Sequence, residues 1–235
     1  MLTVHVDVGR ALSTDFWVFF MKFRKYLAEL IATFGFIFLA AGSVLTNKFV
    51  ENLLGNVGIA LAHGLALMAM VYAVVNISGA HLNPAFTIAM WATRKIKANE
   101  AVGYVLSQLI GSAIAAAFLA WIFPLEKVLH LGAPALGINV TFFGAILIEG
   151  FLTFLLALTF FGVSDKNHAG IALGALLTGA VLVGAPLTGA ALNPARAFGP
   201  ALVSGFWKNH LVYWIGPVVG AVMAGWLHTL LKKKE

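Results

Sequence analysis

A chain of 235 residues that is 61% hydrophobic and only 10% charged, with a mean hydropathy of +0.94, has lipid as its main solvent and reads as a polytopic membrane protein. It has no cysteine, which removes disulfides and thiolate chemistry, and its seven histidines are scattered without metal-ligand spacing, so no metal or other cofactor is expected. The formal net charge of +6 is not a nucleic-acid footprint, because the Lys and Arg gather between apolar tracts instead of along one exposed element.

Residues 1–25 form an amino-terminal segment with no cleavable signal. The aromatic patch Phe16-Trp17-Val18-Phe19-Phe20, followed by Lys22, Arg24 and Lys25, is too short to span and suits the interface. The first span runs from Tyr26 to Asn47, interrupted by Glu29, and the second from Asn56 to Ile77, carrying His63. Next comes Ser78-Gly79-Ala80-His81-Leu82-Asn83-Pro84-Ala85. A small-residue run ending in Asn, a good cap, then Pro, tolerated at the first helical position, makes a loop turning into a helix. That helix reaches Arg94-Lys95-Ile96-Lys97, and Val102–Phe123 is the third span.

A polar connection over residues 126–141 precedes the fourth span, Phe142–Val163, which carries Glu149; the fifth runs from His168 to Leu187. Thr188-Gly189-Ala190-Ala191-Leu192-Asn193-Pro194-Ala195 then repeats the loop-to-helix pattern and leads through Arg196 to Val203. Leu211–Leu231 is the sixth span, closed by Lys232 to Lys234. The segments after the two Asn-Pro-Ala copies, roughly ten residues each, are too short for a core of about 30 Å at 1.5 Å per residue. They enter the membrane and stop halfway.

Arg10, Lys22, Arg24, Lys25, Arg94, Lys95, Lys97, Lys166 and Lys232 to Lys234 fall on one side of six spans, against Lys48, Lys127, Arg196 and Lys208 on the other. The bias places both termini in the cytoplasm, with the dipping segments entering from opposite sides. Glu29-x-x-x-Thr33-Phe34 recurs as Glu149-x-x-x-Thr153-Phe154, and Gln108-Leu-Ile-Gly111 meets Pro217-Val-Val-Gly220. Three spans separate the copies, so residues 26–125 and 142–235 are inverted repeats, the second shortened in a connecting loop between its Glu and its Asn. Such repeats with broken helices put a site at the bilayer midplane.

If Asn83 and Asn193 cap half-helices that meet end to end, each side-chain carbonyl serves its own helix, leaving the amide N–H groups to point into a lumen. Water accepting from both has its protons turned away along the pore, and the two positive helix ends repel cations. Arg196 is an intramembrane charge and so a functional candidate, just beyond the second cap. Plain capping accounts for either Asn alone but not for the duplication.

Two Asn-Pro-Ala boxes in matching positions of inverted halves, an Arg directly after the second, and the repeated Glu-x-x-x-Thr-Phe resemble the aquaporin, or major intrinsic protein, family over nearly all of residues 25 to 232. The resemblance implies an all-α bundle of six transmembrane helices plus two re-entrant half-helices, assembled as homotetramers in the cell membrane and passing water and small neutral solutes. It implies a selectivity filter of His63, Val181, Ala190 and Arg196, pore-lining carbonyls at Gly79, Ala80, His81, Gly189, Ala190 and Ala191, and loop-bracing carboxylates at Glu29 and Glu149. The filter set resembles that of plant vacuolar-membrane members, several of which are taken to pass ammonia or peroxide, or of archaeal-type members, instead of the Phe, His, small, Arg set of strict water channels. A glycerol facilitator is the alternative, but the family's Trp and Asp positions hold His63 and Ala197 here, and Tyr213-Trp214 resembles the aromatic pair of water-selective members. An ion-coupled transporter with inverted repeats and an adhesive junction protein of the same fold are the other readings; an enzyme is not expected.

Overall fold

The computed structural model describes residues 8–123, 129–163 and 165–232, with side chains for 23–123, 130–163 and 165–232. Among them there is no strand. Eight helices follow in order: α1 (Val8–Phe49), α2 (Gly55–Val74), α3 (Pro84–Ala92), α4 (Ala98–Ile122), α5 (Phe142–Gly162), α6 (Lys166–Thr188), α7 (Pro194–Ser204) and α8 (Val212–Leu231). Six contain a stretch long and apolar enough to cross a membrane, that of α1 being Phe23–Phe49. A helix closes its own backbone hydrogen bonds, the condition for a segment in lipid. Large apolar side chains such as Leu147, Phe151 and Leu230 stand on the outside, as lipid-facing positions do.

Two sequence expectations change. The first helix begins at Val8 and runs unbroken into the span, so the segment 8–25 is not a separate element. No proline or late glycine lies between Arg10 and Ile31 to stop it. Residues 1–7 and the side chains of the aromatic patch lie outside the described residues. The shortening of the second repeat sits mainly in a helix: α1 continues from Glu29 to Phe49, whereas α5 ends at Gly162, much sooner after Glu149.

The halves pack through small residues. α1 lies on α4, α5 on α8, and α2 on α6. At the α2–α6 crossing, Gly64 and Gly174 are repeat mates; a Cβ at Gly174 would stand 2.6 Å from the Gly64 carbonyl oxygen. Only glycine allows that approach, and close approach is what drives helix association where lipid removes the hydrophobic incentive. The half-helices α3 (9 residues) and α7 (11 residues) fill the space so enclosed, α3 on α8 and α4, α7 on α4.

Candidate transport pore

The chain leaves α2 and α6 through two loops of the same backbone shape. Gly79, Ala80 and Leu82 have φ of 87°, 54° and 52°, and Gly189, Ala190 and Leu192 have 81°, 45° and 51°. Alanine and leucine in the left-handed region cost about 1–3 kcal/mol each and persist only where the surroundings over-determine them. A buried carboxylate does so under each loop. Glu29 accepts from Ser78 Oγ (2.7 Å), His81 N (2.9 Å) and Leu82 N (2.7 Å). Glu149 accepts from Thr188 Oγ1 (2.6 Å), Ala191 N (3.0 Å) and Leu192 N (2.7 Å). Tyr104 and Tyr213 complete the bracing, donating to the Ser78 and Thr188 carbonyls at 2.7 and 2.9 Å.

Two N–H groups of each loop go to its carboxylate, which leaves the loop carbonyls to be accounted for. Those of Gly79, Ala80, His81, Gly189, Ala190 and Ala191 accept no hydrogen bond from any described residue. Ala80, His81, Ala190 and Ala191 are buried, Gly79 is exposed and Gly189 half-buried; buried backbone carbonyls find a polar partner almost without exception.

Asn83 and Asn193 begin α3 and α7. Each Oδ1 accepts from its own helix, from Ala85 N and Ala195 N at 2.9 Å. Each amide then crosses to the other loop: Asn83 Nδ2 donates to the Leu192 carbonyl and Asn193 Nδ2 to the Leu82 carbonyl, both at 2.9 Å. The sequence reading left both N–H groups of each amide to a lumen. The structure uses one to tie the half-helices together, and the other has no partner among the described residues, because each amide carries two donors. Both Asn line a narrow cavity between Phe36, Leu67, Leu156 and Leu177, of about 10 Å³, room for the centre of one water.

On one side of this cavity the His81 ring lies against Tyr104 and Phe160, with centroids 4.8 and 5.5 Å apart. Thr87 Oγ1 donates to the Asn83 carbonyl, so it accepts at its other faces from His81 Nδ1 (3.0 Å) and Gln108 Nε2 (2.9 Å). That assigns the proton to Nδ1 and leaves His81 Nε2 as an acceptor.

On the other side a vestibule of about 350 Å³ opens, lined by His63, Arg196, Lys48, Gly132 and Gly189 among others. His63 Nδ1 donates to the Ile59 carbonyl at 2.8 Å, turning its Nε2 lone pair toward Arg196 Nε, 3.4 Å away. Arg196 Nη1 donates to the Gly132 carbonyl at 2.8 Å. Of its five guanidinium N–H donors, two are assigned to described residues.

The structure therefore brings His63 and Arg196 together and the two Asn together. Val181 and Ala190 are buried at 1% exposure; Ala190 sits against Gly184 on α6, and no polar contact joins either residue to the pair. Gly132, Gln108, Thr87 and the two tyrosines were not singled out from sequence as site residues. Tyr104 and Tyr213 carry a signal that could have found them, because they share the spacing that relates Gln108 to Pro217. Gly132 carries none.

Residues 16–228 match the model of the family described as major intrinsic protein. A maize protein named Aquaporin TIP4-4 is 41% identical over 215 residues, covering 86% of this chain and 84% of that one. A probable aquaporin, AqpM, of Archaeoglobus fulgidus is 35% identical over 240 residues, covering 90% and 98%. The X-ray structure of the aquaglyceroporin from Plasmodium falciparum superposes with a TM-score of 0.74 at 24% identity, over 88% of this chain and 94% of that one, a likeness of fold. This chain is an integral membrane protein of a channel family and not an enzyme: it belongs to the major intrinsic protein, or aquaporin, family.

Proposed function

We propose that the protein is a passive water channel that also admits small neutral solutes such as ammonia or hydrogen peroxide and excludes protons and ions. The observation that carries this reading is the pair of Asn83 and Asn193 amides, each with one N–H unassigned among the described residues, at one narrow cavity that His81 and Ala191 also line, together with loop carbonyls that accept from no described residue. The carbonyls take the hydrogens of a single file of water; at the centre one water accepts from both amides, so no continuous proton wire passes. The positive ends of α3 and α7, with Lys48 and Arg196 at the vestibule, oppose cations.

His63, Val181, Ala190 and Arg196 form the filter in this reading. Val181 and Ala190 supply apolar walls with little bulk, while His63 and Arg196 supply the polar contacts, a bore wider than an aromatic-and-His arrangement. The chain works as a homotetramer with one pore per subunit, in the cell membrane, with both termini cytoplasmic. That orientation rests on the Lys and Arg bias between spans.

Stopped-flow light scattering of vesicles holding the purified protein tests the reading. Water is expected to equilibrate several-fold faster than in empty vesicles, glycerol no faster, and ammonia measurably faster. Glycerol flux rivalling that of water would make the protein a polyol facilitator, and a proton current under osmotic flow would overturn proton exclusion. Val181→His combined with His63→Phe is expected to lower the ammonia-to-water ratio; an unchanged ratio would place the constriction elsewhere.

A further inference from the structure

Among the described residues Arg196 is held near the vestibule by a long contact to His63 and a short one to the Gly132 carbonyl. What places that carbonyl is therefore a question about the filter. Gly132 ends a 3-10 turn, Leu129–Gly132, in which three successive residues are left-handed: His130, Leu131 and Gly132 at φ 66°, 47° and 68°. Gly132 has no substitute, since a Cβ there would lie 2.9 Å from the Ala41 carbonyl oxygen. Histidine and leucine at such angles cost about 1–3 kcal/mol each, so the turn stands only where outside contacts pin it.

Two contacts do so. Leu131 is fully buried, which anchors the inner side. On the exposed side the His130 ring stacks on Phe206, with centroids 3.7 Å apart and planes 27° from parallel. Phe206 is a fixed platform. It follows the end of α7, the helix that carries Arg196, through left-handed Gly205. Its N–H donates to Ser204 Oγ at 3.3 Å, and that hydroxyl donates to the Pro200 carbonyl at 2.6 Å. The next residue, Trp207, packs on His210 with centroids 4.6 Å apart, and His210 Nε2 accepts from Trp214 Nε1 at 3.1 Å on α8.

We propose that the stack of His130 on Phe206 is a positioning clamp for the filter arginine: it holds the turn that fixes the Gly132 carbonyl, and so sets where the Arg196 guanidinium sits and how wide the mouth is. His130 touches no permeant and acts through Gly132. The proposal rests on Arg196 being a filter residue.

The test compares wild type, His130→Ala, Phe206→Ala, His130→Phe and, as control, Arg196→Ala, all as full chains in vesicles. The glycerol-to-water permeability ratio is expected to rise several-fold in His130→Ala and Phe206→Ala and to stay at the wild-type value in His130→Phe, which keeps a ring for the stack. A second readout is the solid-state ¹⁵N spectrum of the Arg196 side chain, assigned by its loss in Arg196→Ala. A single guanidinium environment is expected in wild type and His130→Phe, and an averaged one in His130→Ala. An unchanged spectrum in His130→Ala overturns the clamp whatever the flux. An unchanged ratio in Arg196→Ala overturns the filter reading, and the spectrum then still decides whether the clamp exists.

Discussion

The loop Ser78–Asn83 and its mate Thr188–Asn193 share a backbone, a bracing carboxylate and a bracing tyrosine, but other polar and ring-bearing side chains around them differ. Repeat spacing pairs Arg196 with Phe86, His63 with Leu173, His81 with Ala191, Thr87 with Ala197 and Gln108 with Pro217. Thus the Arg196 end carries a guanidinium facing an imidazole, whereas the His81 end carries a ring cluster, Phe86 against Phe160 at 4.8 Å and His81 against both Tyr104 and Phe160. In the proposed reading, conducting water requires the same device in both halves, because the file would be reversed symmetrically at the midplane. Rejecting solutes requires a filter only once along the path. The duplicated parts are accordingly backbone, Asn, carboxylate and tyrosine; of the candidate filter His63 and Arg196 are unduplicated, whereas Val181 and Ala190 are matched by Val71 and Ala80.

The heaviest test of the shared device removes its carboxylates. Glu29→Ala strands four donors, Gln108 Nε2 (2.7 Å) among them, and Glu149→Ala strands three. At about 1–3 kcal/mol per orphaned group, both variants are expected to lose most of their folded yield on size-exclusion chromatography, Glu29→Ala the more. Wild-type yield and melting temperature in either would show that the loops stand unaided.

Next in size is the mutual tie of the asparagines. Asn83→Asp and Asn193→Asp each set a carboxylate against a carbonyl of the opposite loop and remove a midplane donor. Equal gains in cation conductance are expected in planar bilayers, because each amide makes the same 2.9 Å bond to the other half. A clear inequality between the two would break the symmetry of the midplane.

A smaller effect separates the halves. Gln108→Leu removes a hydrogen bond to a carboxylate that the second repeat, with Pro217, never makes. It should lower stability by about 2 kcal/mol in thermal unfolding while leaving the water-to-glycerol ratio intact. A changed ratio would give the His81 end a share in selectivity.

The smallest effect lies at the Arg196 mouth. Burial holds the pKa of His210 below the usual histidine range, and its Nε2 accepts from Trp214. A group whose folded pKa is depressed binds its proton more readily unfolded, so stability falls as pH drops below the unfolded value of about 6.5 toward the folded one. His210→Gln keeps an acceptor without titrating. Its melting temperature should fall less between pH 7 and pH 5 than that of wild type; parallel falls would remove His210 from the acid response.

The spans and half-helices were legible in the chain because lipid imposes length and apolarity on one segment at a time. The half-helices Pro84–Ala92 and Pro194–Ser204 follow the sequence reading closely, since Asn and Pro mark a helix start locally. The duplication, and Arg196 as the charge in the second membrane-dipping segment, needed no coordinates either. Tertiary structure decided what depends on pairs of atoms far apart in the chain: that each Asn amide spends one N–H on the other half, that His63 turns its Nε2 to Arg196, and that the Gly132 carbonyl meets the guanidinium. A connecting loop carries no hydropathy period, and the left-handed angles of His130 and Leu131 are not what those residue types prefer alone. The His130 ring lies on Phe206 and Leu131 is buried in the core, surroundings that only folding brings beside them.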